Sequence, residues 1–133
     1  MSYLLDTDTL SATLRRNPDV RVVRRLATVA AEEQFMSAIS LGELVFGAVR
    51  RNREDLMERF EQLTDALPVL PFDEKGAEIF GRLKAHLERL GTPLAEPDLR
   101  IAAIALAFDL TLVSGNQRHF ERVPDLRLEN WLA

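Results

Sequence analysis

Cysteine is absent from the 133 residues, which excludes disulfides, thiolate catalysis and cysteine-based zinc sites and leaves a reducing compartment open. Histidine is nearly as scarce, with only His86 and His119, too few and too far apart for a zinc site built on imidazoles. No run approaches the roughly 20 apolar residues that cross a bilayer. The N-terminus lacks the basic flank and apolar stretch of a signal peptide, so a cytoplasmic protein is expected. A basic excess is missing too. Seventeen Lys and Arg against 21 Asp and Glu leave a net charge of −4, which argues against a protein that grips nucleic acid mainly by counterion release. It does not argue against an enzyme that visits nucleic acid briefly. Internal repeats and low-complexity tracts are also lacking.

What is present is 47 % hydrophobic and 29 % charged, enough for one globular domain over residues 1–133 with a sizeable core. The chain is organised around its first eight residues. Tyr3-Leu4-Leu5 is a short apolar run that stops on Asp6 and Asp8, the pattern of a central strand delivering acids to a sheet edge where a helix begins. Thr7 or Asp8 can cap that helix, which runs to about Arg16 and stops at Asn17-Pro18. Pro18 suits the first turn of a second helix with Val22, Val23, Leu26 and Val29 on one face. Gln34 to Ile39 reads as a second strand closed by Ser40, and Leu41, Leu44, Val45, Ala48 and Val49 form the stripe of a third helix, with Glu43 off the stripe.

After the basic break Arg50-Arg51-Asn52-Arg53, Leu56, Phe60, Leu63 and Leu67 mark another amphipathic helix. Pro68 to Phe72 carries a proline near each end and is expected as a peripheral strand. Gly76, Phe80, Leu83, Leu87 and Leu90 follow heptad-like spacing, closed by Gly91. These two helices are expected to pack on each other or on a second copy. From Asp98 to Asp109 almost no polar face remains, so that helix is expected to be buried on most sides. Thr111 to Ser114 reads as a buried parallel strand followed by a loop, Gly115 to Arg118, and Leu126 to Trp131 as a last edge strand. Such alternation predicts an α/β fold with a mostly parallel central sheet of four to five strands flanked by helices, its ligands beyond the carboxyl ends of the strands.

Asp6, Glu43 and Asp98 each recur near a helix start. Taken singly, each has a structural explanation: Asp6 and Asp8 as caps, Ser40-x-x-Glu43 as a capping box, Asp98 as a favourable charge at a helix dipole. As a set they are harder to explain that way, because an unpaired carboxylate beside a buried element is expensive. Two carboxylates about 4 Å apart repel by on the order of 4 kcal/mol at an effective dielectric of 20, so converging acids call for a counter-charge. Oxygen-only ligands select Mg²⁺ or Mn²⁺, and phosphate esters are the natural substrate class for such a centre.

The strings Leu4-Leu5-Asp6-Thr7-Asp8 and Ser37 to Ala48, then Gly91-Thr92-Pro93 leading to Pro97-Asp98-Leu99-Arg100-Ile101-Ala102-Ala103, resemble the PIN-domain ribonucleases, specifically VapC-type toxins. The likeness continues through Leu112 to Phe120 and on to Glu129-Asn130-Trp131, covering essentially the whole chain in order. The resemblance implies a PIN-like three-layer fold and a cytoplasmic, homodimeric endoribonuclease dependent on Mg²⁺ or Mn²⁺. It also implies neutralisation by a cognate VapB-type antitoxin. Asp6, Glu43 and Asp98 look like the family's metal-binding acids. Many relatives have a further acid at the position of Asn116 or of His119. Neither is an acid here, so Asn116 is kept as a weaker site residue and His119 is expected to be a loop residue near the site. Asp8, where asparagine is common, and Glu96 are candidates to compensate.

On this reading Asp6 and Asp98 hold the ion, Glu43 binds or orients a water that attacks the phosphodiester in line, and Asn116 supports it. Arg15, Arg16, Arg50, Arg51 and Arg53 are expected near the mouth, against flanking phosphates. Three other readings stand beside it. A DNA flap nuclease would use similar acids but lacks here any added DNA-binding module. A phospho-receiver domain wants a lysine after a late strand, where this chain has Gly115-Asn116-Gln117-Arg118. A catalytically weak, antitoxin-binding member is motivated by the missing fourth acid.

Overall fold

The computed structural model describes residues 1–133. Strand β1 (Tyr3–Leu5) is the centre of a five-stranded sheet of order β3-β2-β1-β4-β5. It pairs in parallel with β2 (Gln34–Ser37) and with β4 (Thr111–Val113). Strands β3 (Val69–Leu70) and β5 (Leu128–Glu129) form the two edges, also in parallel register. Every pairing is parallel, so all five strands end at the same edge of the sheet.

Neighbouring residues of a strand point to opposite faces, and that alternation divides the core in two. Leu4 and Leu112 face one layer, packed with Leu83, Leu87, Leu99, Ile101 and Ile104 from α5 (Glu74–Arg89) and α6 (Glu96–Ala107). Leu5, Met36 and Val113 face the other, against α1 (Thr7–Leu14), α2 (Val20–Ala27), α3 (Ala38–Arg50) and α4 (Met57–Ala66). The result is the three-layer α/β arrangement expected. Helix α6 is buried as its composition predicts, with Leu99 and Ile101 to Ala105 all at or below 2 % exposure. Each leucine or isoleucine hidden this fully contributes roughly 1.5–3 kcal/mol.

Several boundaries differ from the sequence reading. Strand β2 ends at Ser37, and Ser37, not Ser40, caps α3 by accepting from the Ser40 N–H at 3.0 Å. The Ser40–Glu43 capping box therefore does not form, which leaves Glu43 on the second turn of the helix with its carboxylate available. Asp19 caps α2, so Pro18 lies before the helix. Val23 and Val49, assigned to core-facing stripes, are 46 % and 49 % exposed. The two amphipathic helices α4 and α5 take different partners: α4 lies against α3 and α5 against α6. Gly91, at φ +72°, stops α5 as expected. The last strand is shorter than Leu126–Trp131, and the segment after β4 turns at Gln117 into a short helix, α7 (Gln117–Phe120).

Candidate active site

Asp6 directly follows β1 and is the N-cap of α1, 5 % exposed. One carboxylate oxygen accepts from the Thr7 N–H at 2.7 Å and the other from the Ser114 hydroxyl at 2.8 Å. Burial pushes its carboxyl up to about 7, against the opposing pull of the Ser114 and Thr7 hydrogen bonds, and the charges of Asp8 and Asp98 push the same way. Two residues on, Asp8 is held mainly by backbone: Oδ1 accepts from the Thr9 N–H at 2.8 Å and, more weakly, from the Thr9 hydroxyl at 3.4 Å, and Oδ2 accepts from the Gly115 N–H at 2.9 Å. This approach favours glycine at position 115, since a Cβ there would lie 2.7 Å from Asp8 Oδ2 and 3.0 Å from Leu132 Cδ1 and would force one of those side chains to shift.

Glu43 reaches the same edge from α3. Thr7 Oγ1 donates to Glu43 Oε1 at 2.7 Å and stands 3.0 Å from Ser40 Oγ, so the residue between the two N-terminal aspartates holds the third acid. Asp98 enters from the first turn of α6. Its carboxyl is raised by burial first, then by the Glu43 and Asp8 charges, with His119 opposing. His119 Nδ1 lies 3.8 Å from Asp98 Oδ2.

Asp6, Asp8, Glu43 and Asp98 thus meet at the carboxyl ends of β1, β2 and β4 with no lysine or arginine within ion-pair reach of any of them; the histidine beside Asp98 is the single basic neighbour. An acid cluster this poor in cations, with one carboxyl buried and raised, is complementary to a hard divalent ion, and its donors are all oxygen. The side chains are not drawn into a finished cage, as no three of them close around an ion-sized point.

Other expected residues fall differently. Asn116 acts through its backbone: its N–H donates to Ser114 Oγ at 3.0 Å, and its carbonyl accepts from the His119 and Phe120 N–H groups at the start of α7. The exposed side chain makes no hydrogen bond. Glu96 is no free acid, since Lys84 Nζ grips it at 2.6 Å. Arg50 ends α3, seven residues and about 10 Å beyond Glu43, and Arg53 is paired with Asp55. These arginines, and Arg15 and Arg16 beyond the far end of α1, do not rim the acids. The sequence suggests Thr7 only as a possible cap of α1, a role Asp6 takes instead, and Ser114 only as the end of a strand; it does not reveal their hydroxyl contacts to Glu43 and Asp6. A hydroxyl residue within two positions of the carboxyl end of a buried parallel strand is the signal that could have found both.

The model of the PIN domain matches residues 3–126, and the chain belongs to the PIN-domain family. More narrowly it groups with VapC proteins. It is 35 % identical to the Ribonuclease VapC2 of Haemophilus influenzae over 136 aligned residues, 99 % of each chain. It is 33 % identical to the tRNA(fMet)-specific endonuclease VapC of Salmonella typhimurium over 98 % of each. Among solved structures, a DNA-bound VapBC from Salmonella typhimurium superposes with a TM-score of 0.90 at 32 % identity, covering 98 % of both chains.

Proposed function

We propose that this protein is a metal-dependent endoribonuclease that hydrolyses RNA phosphodiester bonds, with residues 1–133 acting as one PIN domain. The single observation that carries the reading is the convergence of four carboxylates without a lysine or arginine partner, one of them pushed up to about 7. Similarity to VapC ribonucleases over nearly the whole chain supports the choice of RNA.

Asp6 and Asp98 would hold Mg²⁺ or Mn²⁺, with Glu43 as the third metal-binding acid. When bound, the ion supplies the charge that admits a phosphate oxygen to an acidic pocket and lowers the pKa of an attacking water. Glu43 orients that water, its own rotamer fixed by the Thr7 hydroxyl. Ser114 holds Asp6 while anchoring the Asn116 backbone, so Asn116 serves the site by shaping the loop. Asp8, with both oxygens taken by N–H groups, ties that loop to α1 and adds negative charge.

The protein acts in the cytoplasm, a location compatible with a chain in which no helix is long and apolar enough to cross a membrane. It is restrained by a VapB-type antitoxin, as the similarity to a VapBC complex supports. It assembles as a homodimer, for which Phe46 and Val49, 65 % and 49 % exposed on α3, offer an apolar face. The test is cleavage of a mixed structured-RNA pool by antitoxin-free protein with Mg²⁺, Mn²⁺ or EDTA, beside Asp6→Asn and Asp98→Asn. Cuts that need metal and vanish in both variants are expected. Absence of cleavage with either metal, while a VapB-type peptide still binds, would replace this reading with that of a catalytically weak antitoxin-binding protein.

A further inference from the structure

Residues 15–25 contain five arginines and one aspartate. That segment carries +4 in a chain of net charge −4, so the remainder carries −8. Arg15 and Arg16 follow the last turn of α1. Arg21, Arg24 and Arg25 stand at i, i+3 and i+4 on one stripe of α2. All five are exposed, while Val22 and Leu26 of α2, and Val29 just after it, face the core. Asp19 occupies Arg21 at 2.7 Å and Glu129 occupies Arg25 at 2.9 Å. Arg15, Arg16 and Arg24 have no acidic partner.

This arginine surface is joined to the acids by the C-terminal residues. Arg25 lies over the Trp131 ring, 5.4 Å from its centroid. The next residue, Leu132, packs against Gly115, whose N–H holds Asp8. A cavity of about 380 Å³ opens at the arginine end of this route, bounded by Arg21, Arg25, Glu129, Asn130 and Trp131.

We propose that the α1–α2 arginine surface docks the phosphate backbone of RNA that flanks the bond held at the acids. The inference rests on the endoribonuclease reading and names how that substrate is gripped. An acidic centre repels every phosphate except the one its metal neutralises, so affinity for a longer strand must come from elsewhere on the surface. Arginine forks match phosphate oxygens in pairs. No other eleven-residue stretch of the sequence holds as many arginines, and this one lies one packed segment away from Asp8. Val20 and Val23, exposed beside the stripe at 58 % and 46 %, would suit a protein partner instead, and the experiment separates the two.

Binding of a labelled pool of structured RNA is measured against salt on full-length protein carrying Asp98→Asn to prevent cleavage. Adding Arg15→Ala, Arg16→Ala and Arg24→Ala should weaken binding at least tenfold at low salt. It should also flatten the log–log salt slope by roughly 2 to 3, about one for each phosphate no longer neutralised. Lysine at the same three positions should restore the slope, and Arg50→Ala with Arg51→Ala should leave it unchanged. In the otherwise wild-type protein, the triple alanine variant should cut a trinucleotide at the parent rate, because so short a substrate does not reach α2. Unchanged RNA affinity and slope in the triple variant overturns the proposal. So does loss of binding to a glutamate-rich peptide with RNA binding intact, which would mark a protein-docking face. A parent that neither binds nor cuts RNA removes the nuclease reading itself.

Discussion

At the amino ends of the strands the acids have cations beside them. Glu33, just before β2, meets the chain's own amino group at 3.3 Å, and Asp109, two residues before β4, meets Arg127 at 3.0 Å. At the carboxyl ends of the same strands, Asp6, Asp8 and Glu43 have no basic partner, and Asp98 has only the His119 nitrogen 3.8 Å away. Solvated pairs of the first kind stabilise little. The unpaired cluster costs more, because part of it is buried and all of it shares one sign. One end of the sheet is thus arranged for its own stability, while the other, on the proposed function, waits for a ligand to supply the missing charge.

The largest effect that would sharpen this contrast is a stability profile against pH. The Asp6 carboxyl is raised from 3.8 to about 7 in the fold, so between those values the folded chain binds more protons than the unfolded one. Its contribution therefore turns against folding as pH rises from about 4 to 7, by up to about 4 kcal/mol at 1.36 kcal/mol per unit. Urea midpoints in EDTA should show wild type losing stability relative to Asp6→Asn across that window, and divalent metal should close the gap. A constant difference between the two proteins would mean that Asp6 is not strained.

Next in size is the loss on removing an acid. Asp98→Asn should lower metal-dependent RNA cleavage more than the roughly 10–100-fold that supporting groups of a metal site are worth, with little change in the unfolding midpoint. Gly115→Ala tests the tie between the β4 loop and α1. The added methyl meets Asp8 Oδ2 at 2.7 Å, so a destabilisation of about 1–3 kcal/mol and a cleavage loss of about tenfold are expected. Normal activity in that variant would separate Asp8 from the site. The smallest effect belongs to the opposite end. Arg127→Ala removes the pair with Asp109 and the hydrogen bonds to the Asp109 carbonyl and the Thr111 hydroxyl, and should leave cleavage unchanged at a stability cost of about 1 kcal/mol.

Much of this contrast is legible in the residue order. Alternating short apolar runs and helical stripes anticipate the parallel sheet, the peripheral positions of β3 and β5 and the buried α6. What is misread lies at junctions. Met36 to Ile39 looks like uninterrupted strand, but the Ser37 hydroxyl captures the Ser40 N–H and starts the helix early. Glu43 is released by that shift from a cap it seemed to serve. Arg50 and Arg53 look close to the acids in sequence, yet the rise along α3 carries them to its far end.

By itself, the sequence determined which residues are apolar at which period and which acids stand at strand and helix boundaries, because local patterning dictates element type and facing. Only the tertiary structure decided which carboxylates share a site and which are neutralised. Glu96 is lost to Lys84, Asp6 is tied to Ser114 across 108 residues, and Asp8 is locked by Gly115. Those outcomes depend on contacts between distant segments, and charge and burial act through space, not along the chain.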